Sequence, residues 1–118
     1  MGGIIVTIQE IMKALPLKVI AGQSNLDKEV SGGYASDLLS NVMGQAQVGN
    51  IWVTMQGHQN VVAVALLAGL SAIVIAGGVE PDPEAVQKAL TEKIVILTTT
   101  LSAYKVIGRL YQLGVTGE

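Results

Sequence analysis

Apolar and polar positions along the chain change their period element by element. Thr7-Ile8-Gln9-Glu10 fits a capping box, in which Thr7 bonds the amide of Glu10 and the Glu10 carboxylate reaches back to Thr7. Val6 and Ile11 stand where a hydrophobic staple falls, so a helix starts here, and Pro16 closes it after Leu15. Leu17 to Ala21 then predicts a strand, Gly22 to Asp27 is turn-rich, and Val30 to Ala35 predicts a second short strand around Gly32-Gly33. Ser36 or Asp37 is placed to cap a helix running through about Gln45.

From Asn50 onward the alternation becomes regular. Ile51 to Met55 predicts a strand and Asn60 to Leu67 a helix; the same unit recurs twice. Ile73-Val74-Ile75 precedes Asp82-Pro83-Glu84, which combines an N-cap, a proline at the first helical position and an acid at the positive dipole end of a helix reaching about Thr91. Ile94 to Leu97 precedes Thr98-Thr99-Thr100 and a helix from Leu101 to Leu113. In that helix Leu101, Tyr104, Ile107 and Tyr111 fall near one stripe and Lys105 and Arg109 on another, which predicts one packed and one solvated face. Strands that are apolar on both faces and alternate with helices define the fold class. It is α/β, a single domain over residues 1–118, with a mainly parallel β-sheet and helices on both faces.

Composition narrows the partners. Half of the 118 residues are apolar, only 14% are charged and the formal net charge is -2, so the basic footprint of nucleic-acid binding is missing. No cysteine occurs, which removes disulfides, thiolate chemistry and Cys-based zinc sites and suits a cytoplasmic setting. The N-terminal Met1-Gly2-Gly3-Ile4-Ile5-Val6 lacks the basic start of a secretory signal, and Val6 stands where a myristoylation motif has Ser or Thr; neither export nor a lipid anchor is expected. Val61 to Val79 is uncharged and about as long as the roughly 20 residues of a spanning helix. However, Gly69-Leu70-Ser71 interrupts it and Ile73-Val74-Ile75 is β-branched, so a buried helix, a turn and a buried strand are expected there, with a membrane span as the alternative.

In a parallel sheet, ligands bind beyond the carboxyl ends of the strands, where helix N-termini present free amides. Those ends carry Gln56, Gly57, His58 and Asn60, then Gly77 and Gly78, then Thr98, Thr99 and Thr100, and all are expected on one rim. His58, the single imidazole, is placed to donate to a phosphate or carboxylate, or to be satisfied by local backbone. Gly77-Gly78 either lets backbone approach an anion or simply makes a turn. One of the threonines is expected to cap the last helix. Ser36 and Asp37 face the same pocket or serve only as caps, and Trp52 within its strand is expected in the core. No P-loop is present, since Gly44 to Gly49 has the spacing but continues Asn50-Ile51. Dinucleotide, nucleophile-elbow and transition-metal patterns are also missing, so no cofactor or metal is expected.

The stretch from Val30 to Gly78, with Val-Ser-Gly-Gly-Tyr-Ala-Ser-Asp-Leu-Leu-Ser at its start and Ile-Ala-Gly-Gly at its end, resembles the DRTGG domain. The similarity continues to Leu110-Tyr111-Gln112-Leu113-Gly114. The family is found free-standing, fused to CBS domains or within long phosphotransacetylases, and it is similar to the N-terminal domain of HPr serine kinase/phosphatase. Where the family has Asp-Arg, this chain has Gly57-His58, and where it has Thr-Gly-Gly, this chain has Ala76-Gly77-Gly78; a site built on the Asp-Arg pair is altered here. The kinase's P-loop domain is missing, so its activity is not implied. The resemblance implies a regulatory role, and short members resemble companions of hydrogenase and redox-signalling clusters.

Three readings follow. The first is a non-catalytic homodimeric module that binds a nucleotide or small phosphorylated metabolite at the strand-end rim. The second is a structural domain read by a protein partner without a small ligand. The third is an enzyme in which Asp37 and His58 form an acid–base pair.

Overall fold

The computed structural model describes residues 6–117, so the reading of the N-terminus as free of leader or lipid anchor concerns positions outside the described residues. The elements run β1 (Val6–Thr7), α1 (Ile8–Ala14), β2 (Lys18–Ala21), β3 (Glu29–Val30), β4 (Gly32–Ala35), α2 (Leu39–Gln45) and β5 (Asn50–Thr54). They continue as α3 (Asn60–Ala68), β6 (Ala72–Ile75), α4 (Pro83–Glu92), β7 (Ile96–Thr98) and α5 (Ala103–Gln112). Five strands form one sheet in the order β2-β7-β6-β5-β4, in which β4 to β7 are mutually parallel and β2 runs antiparallel along β7.

Side-chain alternation sends each strand's residues to two separate cores. Ile51, Val53, Val74 and Leu97 meet Ile8 and Ile11 of α1 and Val106 and Leu110 of α5 on one face. Trp52, Ile73, Ile75 and Ile96 meet Val42 of α2, Val61, Val62 and Ala65 of α3, and Ala85 and Ala89 of α4 on the other. Because both faces are buried, the central strands are continuously apolar rather than alternating. The expected α/β fold, a mainly parallel sheet with helices on both sides, is the one observed.

The Thr7 capping box forms, with the Glu10 amide donating to Thr7 Oγ1 at 3.2 Å and the Thr7 amide donating to Glu10 Oε1 at 3.0 Å. The uncharged run at Val61 to Val79 holds α3, a turn at the left-handed Gly69 and strand β6. No described helix is long and apolar enough to cross a membrane.

Four expectations are corrected. Val30 to Ala35 is not one strand: β3 pairs antiparallel with β1 in a separate two-stranded sheet, and β4 pairs with β5, because Ser31 turns its amide to the carbonyl of Gly49 between them. The last strand begins at Ile96 rather than Ile94, since Ile94 and Val95 are buried before sheet pairing starts. The final helix is capped by Ser102, whose Oγ accepts from the Lys105 amide at 3.2 Å, and not by a threonine. Its packed stripe is Val106 and Leu110, whereas Tyr104 is 87% and Tyr111 is 56% exposed. Aliphatic side chains fill the sheet side, Tyr104 stands in solvent, and the Tyr111 hydroxyl accepts from the Gly117 amide at 3.2 Å.

Candidate functional site

Since β4 to β7 are parallel, their carboxyl ends emerge together and the four loops that follow form one rim. The β4 and β5 ends are tied to each other by Asp37. Its Oδ1 accepts from the Thr54 hydroxyl at 2.7 Å and from the Met55 amide at 2.8 Å, while the Gln56 side-chain amide donates to the Asp37 carbonyl. The Trp52 indole donates to the Ser36 carbonyl at 2.8 Å, and Ser36 Oγ accepts from the Leu38 amide at 3.0 Å. Neither Ser36 nor Asp37 is therefore the N-cap of α2, a position held by Leu38 without a side-chain bond. The polar side chain that a cap would have used is drawn across to β5.

His58 is exposed, and its Nδ1 accepts from the Asn60 amide at 3.1 Å, so local backbone satisfies it. No hydrogen bond joins Asp37 and His58, each of which is engaged by its own neighbours. Gly57 lies against the next loop: its carbonyl accepts from the Asp82 amide at 2.8 Å, and a Cβ there would stand 2.6 Å from the Glu80 carbonyl oxygen. At Gly77 and Gly78 both residues have positive φ, 75° and 77°. Their amides donate to the carbonyls of Leu101 at 2.7 Å and Thr99 at 2.9 Å, so this pair makes a turn and ties the loop after β6 to the loop after β7 instead of presenting free donors.

The rim opens at its other end. A cavity of about 440 Å³ lies between the β6–α4 loop and the β7 and β2 strands. Gly78 and Glu80 line one side of it, Thr98, Thr99 and Thr100 the floor, and Pro16, Leu17 and Lys18 the other side. Gly78 and the three threonines are thus brought to one cavity. Gln56, Gly57, His58 and Asn60, with Ser36 and Asp37, fall outside its lining. Sequence reasoning missed Lys18 and Glu80. A charge at the entry of an apolar strand reads as solvated, and only the antiparallel register that sets Lys18 opposite Thr98 brings it to the rim. A second cavity, about 290 Å³ and apolar, lies between β4 and α5 against Val53, Leu110 and Val115. Among the described residues no group of His and acids is arranged to hold a metal.

The model of the DRTGG domain family matches residues 10–113, nearly the whole sequence. The chain belongs to the DRTGG domain family. Among solved structures, this DRTGG domain is similar to the CBS and DRTGG domains of the regulatory region of Clostridium perfringens pyrophosphatase, a structure complexed with the activator diadenosine tetraphosphate. The similarity has a TM-score of 0.71 at 14% identity, and it covers 94% of this chain and 46% of that one, so the DRTGG domain spans about half of its neighbour. At that identity the likeness concerns the fold. No curated protein matches the chain.

Proposed function

We propose that this DRTGG domain is a non-catalytic regulatory module that binds a small phosphorylated metabolite or nucleotide at the carboxyl-end rim of its sheet. The observation that carries the reading is the division of that rim. Its β4–β5 half is closed by Asp37 and its own backbone bonds. The β7–β2 end keeps an open cavity floored by hydroxyls and flanked by Lys18. Cavities with a few convergent polar groups on a rigid α/β scaffold are where small ligands settle. The solved structure it resembles is itself a regulatory region, which fits a sensing role.

The interlocked half also argues against the Asp37–His58 enzyme reading, since one carboxylate oxygen already holds two donors and the imidazole Nδ1 holds an amide. Thermal unfolding against adenine and guanine nucleotides and phosphorylated metabolites tests the proposal. A ligand at a hundred times its dissociation constant adds about 2.7 kcal/mol, which raises the melting temperature of such a domain on the order of 10 °C. A shift from one ligand class that persists in His58→Ala supports the β7–β2 end as the site. A flat panel turns the reading toward a domain recognised by a protein partner.

A further inference from the structure

The β7–β2 cavity contains a nearly buried polar group that the fold leaves unused. Thr98 is only 6% exposed, yet its hydroxyl takes part in no hydrogen bond among the described residues. Every described side-chain oxygen or nitrogen that is sealed from solvent has a partner, so the Thr98 hydroxyl is not sealed; it opens into the cavity that Thr98 lines. A β-branched aliphatic side chain would satisfy the strand position equally well, so the sheet does not require the hydroxyl. Thr99 differs, because its Oγ1 accepts from the Leu101 amide at 3.1 Å and only its O–H remains to donate. Lys18 is the residue directly opposite Thr98 in the antiparallel register. Opposed residues share a face with Cβ atoms about 5 Å apart, so an ammonium and a donor hydroxyl address one space.

Glu80 lines the same space from the β6–α4 loop and decides between anions. An isolated phosphate gains from Lys18 and the hydroxyls but meets the like charge of Glu80 with nothing to offset it. A phosphate attached to a hydroxylated carbon skeleton meets both ends, because an ionised carboxylate only accepts hydrogen bonds and skeleton hydroxyls donate them. We propose that the β7–β2 cavity takes a phosphomonoester carried on a polyol, with Lys18 and the hydroxyls of Thr98 to Thr100 on the phosphate and Glu80 on the skeleton hydroxyls. The assignment rests on the rim-binding reading above and selects among its ligands.

Isothermal titration of the full chain with ribose 5-phosphate, AMP, ribose and inorganic phosphate tests it. Ribose 5-phosphate, AMP or both bind, while ribose and inorganic phosphate bind at least about tenfold more weakly. Equal affinity for ribose 5-phosphate and AMP identifies a sugar phosphate as sufficient, and preference for AMP identifies a nucleotide. Lys18→Ala and the near-isosteric Thr98→Val each lower affinity about tenfold, as removal of a charge-assisted hydrogen bond does. Glu80→Gln narrows the gap between ribose 5-phosphate and inorganic phosphate. A thermal melt of Thr98→Val matching the parent protein excludes loss of folding as the cause, and Lys18→Ala on the exposed strand end gives the same answer independently. Inorganic phosphate binding as tightly as ribose 5-phosphate overturns the assignment. Unchanged affinity in both Lys18→Ala and Thr98→Val also overturns it, and leaves the rim reading standing. Silence from all four probes together with a shift from another member of the wider panel sinks the polyol phosphate alone; a flat panel sinks both readings.

Discussion

Single residues at the rim are constrained more by what touches them than by their chemical type. Gly57 has no side chain because the neighbouring loop occupies that space, with the Glu80 carbonyl oxygen 2.6 Å and Pro81 Cα 2.9 Å from where a Cβ would lie. Both obstacles are backbone and cannot swing away, so Gly57→Ala is expected to cost about 1–3 kcal/mol in urea unfolding, the usual cost of overpacking. A variant as stable as the parent would mean that the two loops separate freely. Glu10 is constrained electrostatically. The Thr7 amide and then the Thr7 hydroxyl hold its carboxyl below the usual glutamate range. A group whose folded value is depressed stabilises the fold above its unfolded value, and that contribution vanishes as pH falls through the folded value. The melting temperatures of Glu10→Gln and parent protein should therefore differ most near neutrality and converge below about pH 4. Parallel curves over that range would show that the charge of Glu10 has no part in the cap.

Among the elements, the pieces that were legible in the sequence are those whose signals are local. Thr7 with Glu10, Pro83 in the first turn of α4, and Gly69 after α3 mark helix ends by local effects, and each boundary falls where those residues place it, although the Asp82 side chain makes no cap bond. Long-range pairing left weaker traces. Nothing within Leu17 to Ala21 distinguishes an antiparallel edge strand from a parallel one, yet that direction sets Lys18 beside Thr98 and builds the cavity wall. Asp37 shows the same limit, since its position invites a local cap while the fold offers Thr54 at the end of β5 and Met55 just after it as partners. Thr54 is only 2% exposed, so the exposed Asp37 carboxylate is the acceptor for a hydroxyl that is cut off from water. Asp37→Ala is expected to lose about 1–3 kcal/mol, and Asp37→Asn less, because its amide oxygen still accepts. Equal stability of all three proteins, followed by thermal unfolding, would remove Asp37 from the structural account and reopen a role for it in binding.

For the molecule as a whole, the outstanding feature is apolar surface on the α2–α3–α4 side that the domain does not cover itself. Val48 is 77% and Leu67 is 75% exposed, with Leu66 at 44% and Met43 at 44%. Val48 packs against Gly69, since a Cβ at that glycine would lie 3.4 Å from Val48 Cγ1, so Val48 sits at the end of the helix that carries Leu66 and Leu67. A domain of this size buries a smaller share of its surface than a large one, and partners dock where apolar side chains stay exposed. The proposal that two copies associate belongs to this face, because a two-fold axis brings the same patch against itself without requiring a complementary surface elsewhere. Leu67→Lys places a charge at its most exposed helical position while leaving the buried side of α3 untouched. Sedimentation velocity of the parent protein should then show a dimer at micromolar concentration and Leu67→Lys a monomer with the same melting behaviour at the domain level. A parent protein that sediments as a monomer across the accessible range removes the homodimer, and a dimer that survives the charge moves the interface to another face. In either case the β7–β2 cavity lies outside this patch, so ligand binding by Leu67→Lys is expected to equal that of the parent, which separates association from sensing in one variant.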